Sequence, residues 1–163
     1  MSTIRLFVAG KPQSRGSKRA FPFRRKGGQL AVAVSDDNPK SRDWMAIVAD
    51  QFAQAMAGRD PFSGPVGLRL RFVMPRLKSH FGTGKNAMVL KSNAPHYHTS
   101  KPDRGKLARG VEDAITGIGY LDDSQVCCGP IEKVYGECPG VEIELTEMQP
   151  PGCCDVTTAE VEA

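Results

Sequence analysis

Residues Lys101 to Val126 read KPDRGKLARGVEDAITGIGYLDDSQV. At 100° per residue, Leu107, Ala108, Val111, Ala114, Ile115 and Ile118 fall on one side, which predicts an amphipathic helix over Arg104 to Ile118. Lys106, Arg109 and Asp113 fall on the opposite face. Gly110 weakens this helix by about 1 kcal/mol relative to Ala. Asp122-Asp123 stands after Gly119-Tyr120-Leu121 and before a strand that starts near Gln125. If that strand folds back along the helix, the acid pair meets Asp103 at the helix start. Hard oxygen ligands of this kind suit Mg²⁺, which is held by one or two carboxylates and keeps waters for a phosphate substrate. A metal there would activate water and stabilise the leaving oxygen of a phosphodiester. Without a motif to guide them, the same residues read more simply as an N-cap acid and a polar turn.

Outward from this stretch, short elements of both kinds are predicted, giving an α+β chain with a small mixed sheet and two main helices. Ile4, Leu6 and Val8 alternate over Thr3 to Ala9, as a half-buried strand requires. Gln29 to Val34 is expected to pair back on Phe21 to Arg25 across Gly27-Gly28 as a hairpin. Asn38-Pro39 and Ser41 open a helix that ends near Gly58, with Trp44, Ile47, Val48, Phe52 and Ala55 on its packing face and Trp44 as a core anchor. Val66, Leu68, Leu70 and Phe72 alternate with Arg69 and Arg71 in a strand closed by Pro75. Residues 76–101 form a long loop, and loops of that length are usually functional or mobile. Val126 to Tyr135 and Gly140 to Met148 are expected to form a hairpin about Glu137-Cys138-Pro139-Gly140, with Gly129-Pro130 at a bulge or an edge. One domain over residues 1–148 and a disordered acidic tail over 149–163 complete the division.

The 163 residues are 40% hydrophobic and 25% charged, which is ordinary for one globular domain. The net charge of +4 conceals an uneven distribution. Twenty-one of the 22 Lys and Arg, but only 6 of the 18 Asp and Glu, precede Gly110, so the two parts carry +15 and −11. A nucleic-acid partner for the first part follows from that asymmetry. The basic excursion 11–37 contains Lys11, Lys18, Arg19, Arg24, Arg25 and Lys26 with Phe21 and Phe23 interleaved. No run reaches the roughly 18 apolar residues of a membrane span, and the first residues lack the apolar region of a secretion signal. A cytoplasmic protein without a membrane partner is expected.

Five cysteines, an odd number clustered as Cys127/Cys128, Cys138 and Cys153/Cys154, do not form a disulfide framework. Reduced thiols are expected. Nothing near His96 and His98 completes a four-ligand zinc site, and His80, His96 and His98 are expected at the surface of the long loop. Gly82-Thr83-Gly84-Lys85 is not a phosphate loop, because Ser79 stands where such a loop needs Gly and Asn86 where it needs Ser or Thr.

The Lys101–Val126 stretch, with the strand ending GVEIELTEM, resembles the signature of the RusA family of Holliday junction resolvases. In that family an Asp-x-Asp-Asn-Leu-type segment opens a helix containing a Lys, an Asp-Ala-Leu step follows, and Asp-Asp-x-Gln-Val begins the next strand. Residue by residue, the resemblance implies that Asp103 and Asp123 bind the metal, that Asp122 is the companion acid, and that Arg109 takes the place of the catalytic Lys. Asp113 matches the helix Asp before Ala114. Gly105 stands where the family has its second metal-binding Asp, and Lys106 replaces the following Asn. Arg at 109 keeps the positive charge but is a poorer proton donor, because a guanidinium stays protonated.

The resemblance further implies a homodimeric crossover junction endodeoxyribonuclease of recombination and repair, acting in a bacterial or phage-infected cell. It would use Mg²⁺, with Mn²⁺ as a substitute, and nick opposite strands of four-way junction DNA symmetrically. Two such cuts on a near-twofold junction need twofold-related sites. Lys11, Lys18, Arg19, Arg24, Arg25, Lys26, Arg69, Arg71, Lys101, Arg104 and Lys106 are the expected DNA contacts. Phe21 and Phe23 read either as wedges at the crossover or, more simply, as core residues anchoring the loop. The alternative to a resolvase is a junction-binding protein whose cleavage is impaired by Gly105. A further alternative is an RNA- or duplex-binding module without junction preference.

Overall fold

The computed structural model describes the backbone of residues 2–16, 18–36 and 38–148, and the side chains of these except residues 18, 19 and 34–36. The expected tail over 149–163, with Cys153 and Cys154, and the side chains of Lys18 and Arg19 therefore lie outside the described residues.

Four strand positions form the main sheet. Strand β1 (Thr3–Ala9) pairs antiparallel with β7 (Gly140–Glu147), and β7 pairs antiparallel with β4 (Val66–Pro75). Beyond β4, β5 (Val126–Cys128) and β6 (Ile131–Gly136) lie end to end, both parallel to it. They are interrupted at Gly129-Pro130, where Gly129 has φ +139° and a Cβ would lie 1.9 Å from the Leu68 carbonyl oxygen. No side chain fits there. The interruption is the irregularity the Gly-Pro pair foretells.

The expected hairpin between the last two runs does not form. β4 lies between them, parallel to β6 and antiparallel to β7. Local turn chemistry at 137–139 loses to a nonlocal strand whose alternate side chains are all buried: Val66, Leu68, Leu70, Phe72 and Met74. A central position on β4 satisfies both of its hydrogen-bonding edges, which an edge position would not.

One face of the sheet carries the two helices, α1 (Pro39–Met56) and α2 (Arg104–Ile115). Trp44, Val48, Phe52 and Met56 from α1 meet Leu107, Val111 and Ile115 from α2 over Ile4, Val8, Val141, Ile143 and Leu145. Ile47, expected on the packing face of α1, is exposed instead, because it lies a quarter-turn from the Trp44–Val48–Phe52 line. Helix α2 stops three residues before the expected Ile118. Thr116 turns extended and Gly117 takes φ +79°, a conformation that favours Gly. The opposite sheet face is polar, with cross-strand pairs such as Arg5–Glu144 at 3.0 Å.

The hairpin expected at 21–34 forms as β2 (Lys18–Arg24) and β3 (Leu30–Asp36), with Phe23 opposite Ala31 and Arg24 opposite Leu30. This ribbon is a separate two-stranded sheet. The long 76–101 connection contains only two short 3₁₀ turns, yet it is tied down. Tyr97 bridges Val134, and the backbone amides of His98 and Tyr135 donate to the carbonyls of Lys133 and His96 at 3.0 and 2.8 Å.

Candidate active site

Asp103 occupies the N-cap of α2, but its side chain makes no capping hydrogen bond. Its backbone carbonyl starts the helix by accepting from the Leu107 amide at 3.1 Å. The carboxylate therefore holds the capping position without the capping function. It faces a cleft of about 890 Å³ along α2, lined also by Gly105, Lys106, Arg109, Glu112 and Asp123.

The two neighbouring acids diverge. Asp122 accepts a hydrogen bond from the Ser124 amide at 3.0 Å, and Gln125 reciprocates by accepting from the amides of Asp122 and Leu121 at 2.9 and 2.8 Å. This reciprocal box holds the 123–125 turn. The Ser124 hydrogen bonds keep the Asp122 carboxyl below the usual carboxylate range. Gln125 also donates to the carbonyls of Phe62 and Gly64 at 3.0 and 2.7 Å, anchoring the turn to the chain ahead of β4. With Asp122 committed to the turn, Asp123 is the acid that lines the cleft, and Asp122 does not.

The opposite wall is a strap, residues 10–16, laid across α2. The Arg15 amide donates to the Lys106 carbonyl at 3.2 Å, its guanidinium pairs with Asp113, and Asn38 Nδ2 holds the Ser14 carbonyl at 2.9 Å. Gly110 is buried where the strap crosses, which gives this helical glycine a packing reason. A second hollow of about 390 Å³ lies beside the strap, lined by Lys11, Lys101 and Lys106 among others. Asp103 and Lys106 line both, so the two hollows form one trough.

Other expected DNA-binding residues lie elsewhere. Arg24, Arg25 and Lys26 sit at the ribbon tip, and Arg104 is exposed without lining either hollow. Arg69 and Arg71 lie on the polar sheet face in a separate hollow, with Arg71 3.5 Å from Glu142 and 3.8 Å from Glu132. Phe21 and Phe23 are 51% and 43% exposed and anchor no core, which removes the simpler of their two readings. His80 is buried rather than at the surface, edge-on to Tyr135, while His98 packs on the same ring. Burial, with the charge of Lys133, lowers the His98 pKa. Cys127, Cys128 and Cys138 are free thiols.

Glu112 was not singled out by its sequence context, yet it shares the cleft. It follows Gly105 by seven residues, so it stands on the same helix face two turns on. Burial and the negative charge of Asp123 push its carboxyl up, and Arg109 partly opposes them. Among the described residues no three His, Cys, Asp or Glu side chains converge tightly enough to form a ready-made metal cage. Carboxylates that repel one another in one cleft still suit a divalent cation, and Mg²⁺ needs only one or two of them because it retains water.

The model of the family described as endodeoxyribonuclease RusA matches residues 10–146 of this chain. A curated relative, the uncharacterized protein YqaN of Bacillus subtilis (strain 168), is 27% identical over 148 residues, spanning 91% of this chain and 99% of the relative. Among the described residues no helix is long and apolar enough to cross a membrane.

Proposed function

Since this chain belongs to the RusA endodeoxyribonuclease family, we propose that it is a Mg²⁺-dependent homodimeric endonuclease that resolves four-way DNA junctions by paired, symmetric nicks. One observation carries this reading: Asp103 and Asp123, twenty residues apart in the chain, line a single cleft with Arg109 and Lys106. Residues 1–148 make up the endonuclease unit, and 149–163 are an acidic appendage. The enzyme acts in the cytoplasm of a bacterial or phage-infected cell.

Asp103 and Asp123 hold the metal, with Mn²⁺ as an effective substitute. When bound, the ion supplies Lewis acidity, activating water and stabilising the leaving oxygen. Arg109 contributes a fixed charge against the scissile phosphate and no proton, because a guanidinium is a poor proton donor. Lys106, Lys101 and Lys11 follow the backbone along the trough, so binding weakens as salt rises and counterions compete. Asp122 acts through the turn that aims Asp123. At the ribbon, Arg24, Arg25 and Lys26 reach neighbouring arms of the junction, and the exposed Phe21 and Phe23 rings are available to unstack bases at the crossover. Arg69 and Arg71 are left out of this grip, being on the other sheet face.

A second reading is a protein that binds junctions but cuts them poorly. It is favoured by the open space at Gly105, where a Cβ would meet nothing within 4 Å and the family's second Asp would stand. One experiment separates the two: cleavage of a synthetic four-way junction with Mg²⁺ by this chain beside Gly105→Asp. Paired nicks by the parent support the resolvase; tight binding with nicking only after Gly105→Asp supports the second reading. Equal affinity for linear duplex and junction would count against both.

A further inference from the structure

Lys133 is the only Lys or Arg in the sequence beyond Gly110. It stands on β6 and lines neither hollow of the trough. Instead its Nζ donates at 2.7 Å to the carbonyl of Ser100 and at 2.7 Å to that of Pro102, the residue immediately before Asp103. Its backbone carbonyl accepts from the His98 amide at 3.0 Å. One residue thus grips the end of the long loop with both its main chain and its side chain.

An ammonium has three donors, and two here are spent on neutral backbone carbonyls rather than on solvent or an acid. That arrangement carries a desolvation cost, which lowers the Lys133 pKa, while the charge of Asp103 works the other way. Asp103 needs such support. Its side chain makes no cap, so what places it is the backbone it springs from, held by the α2 ladder on one side and by Lys133 on the other.

We propose that Lys133 is a positioning residue for the cleft: by pinning the Ser100 and Pro102 carbonyls it fixes the backbone from which the Asp103 carboxylate projects. The role rests on the nuclease reading insofar as Asp103 holds the metal. It differs from the basic residues proposed to grip DNA, because Lys133 acts through the protein backbone and touches neither DNA nor metal.

The test compares the full chain with Lys133→Met and Lys133→Arg. Four quantities are measured: Mn²⁺ affinity of the DNA-free protein by electron paramagnetic resonance, junction affinity in Ca²⁺, single-turnover cleavage in Mg²⁺, and amide hydrogen exchange over residues 99–107 without metal. Lys133→Met is expected to weaken Mn²⁺ binding and slow cleavage by about 10–100-fold, the usual effect of losing an outer partner of a metal ligand. Its junction affinity should be unchanged, exchange over 99–107 should quicken while β4 and β7 keep their protection, and Lys133→Arg should recover most of the loss.

Parental exchange and Mn²⁺ affinity in Lys133→Met would overturn the proposal. So would a loss of junction affinity as large as the loss of rate, which would make Lys133 a DNA contact. If the parent binds Mn²⁺ in this Lys133-dependent way but cuts no junction, the junction reading fails and the positioning role stands. If the parent cuts junctions and Lys133→Met cuts them equally well, the reverse holds. Should Lys133→Met lose its fold by circular dichroism, Lys133→Gln, which keeps a donor, takes its place in the same comparison.

Discussion

The cleft beside α2 and the β2–β3 ribbon both present basic side chains and are both open to solvent, though the cleft adds carboxylates to them, and the two are held in opposite ways. Every wall of the cleft is tied into the body: Asp103 through Lys133, Asp123 through the Asp122–Gln125 box, and the strap through Lys106, Asp113 and Asn38. The ribbon pairs only with itself among the described residues, and exposes Phe21, Phe23, Leu30 and Val32. A lone two-stranded hairpin is marginally stable in water. Phosphodiester chemistry needs its groups fixed to a fraction of an ångström, whereas gripping a branched duplex needs reach and adaptability. The division of labour follows that physical difference.

The largest contrast should be in stability. Phe52→Ala opens a cavity beneath the helices and is expected to cost about 3–5 kcal/mol in denaturant unfolding, while Phe21→Ala on the ribbon should stay within about 0.5 kcal/mol. Comparable costs at the two sites would mean that the ribbon is packed, and the contrast would collapse.

Charge removal should sharpen it next. Replacing Arg24, Arg25 and Lys26 together by Ala is expected to flatten the dependence of log affinity on log salt by roughly 2 to 3 units, about 0.9 for each phosphate that no longer has a protein cation beside it. Unfolding and the rate of cleavage at saturating enzyme should not change. An unchanged salt slope would place the DNA away from the ribbon.

Within the cleft, Gly105→Asp adds a carboxylate into open space and should tighten Mg²⁺ binding by about tenfold through the added ligand charge. Calorimetric titration of the metal reads this directly, and a parental affinity would show that position 105 does not face the ion.

The smallest effect concerns Glu112 in metal-free protein. Its carboxyl is pushed up on folding by burial and Asp123, so the folded state holds that proton more tightly than the unfolded state. The resulting stabilisation is present below the ordinary Glu pKa and lost as pH rises through the raised value. Glu112→Gln should therefore melt slightly above the parent at pH 7, by less than about 1 kcal/mol once solvent screening is counted, and match it in acid. A variant less stable than the parent at pH 7 would reverse the sign.

Much of this was legible in the sequence because the signals were local. The 3.6-residue stripe of α2, the Gly27-Gly28 hairpin and the alternation of β4 each depend on near neighbours, and each formed. What failed was nonlocal: nothing around Pro139 says that β4 will insert between β6 and β7. The site was partly legible for the same reason. Spacing brought Asp103 towards the Asp122-Asp123 pair, but which of two adjacent acids faces the cleft depends on the turn. The Asp-x-x-Gln capping signature at Asp122 and Gln125 was a readable clue to that turn. Glu112 could have been found by its seven-residue offset from Gly105. Lys133 carries no local signal, since its partners lie more than thirty residues away.

Cleavage of a synthetic four-way junction in Mg²⁺ by the parent, Asp123→Asn and Asp122→Asn tests the centre of this picture most directly. Losing a metal ligand removes several kcal/mol of transition-state stabilisation. Asp123→Asn is therefore expected to cut on the order of 10²–10³-fold more slowly at unchanged junction affinity, with Asp122→Asn affected far less. Parental cleavage by Asp123→Asn would contradict the assignment of the cleft as the catalytic centre.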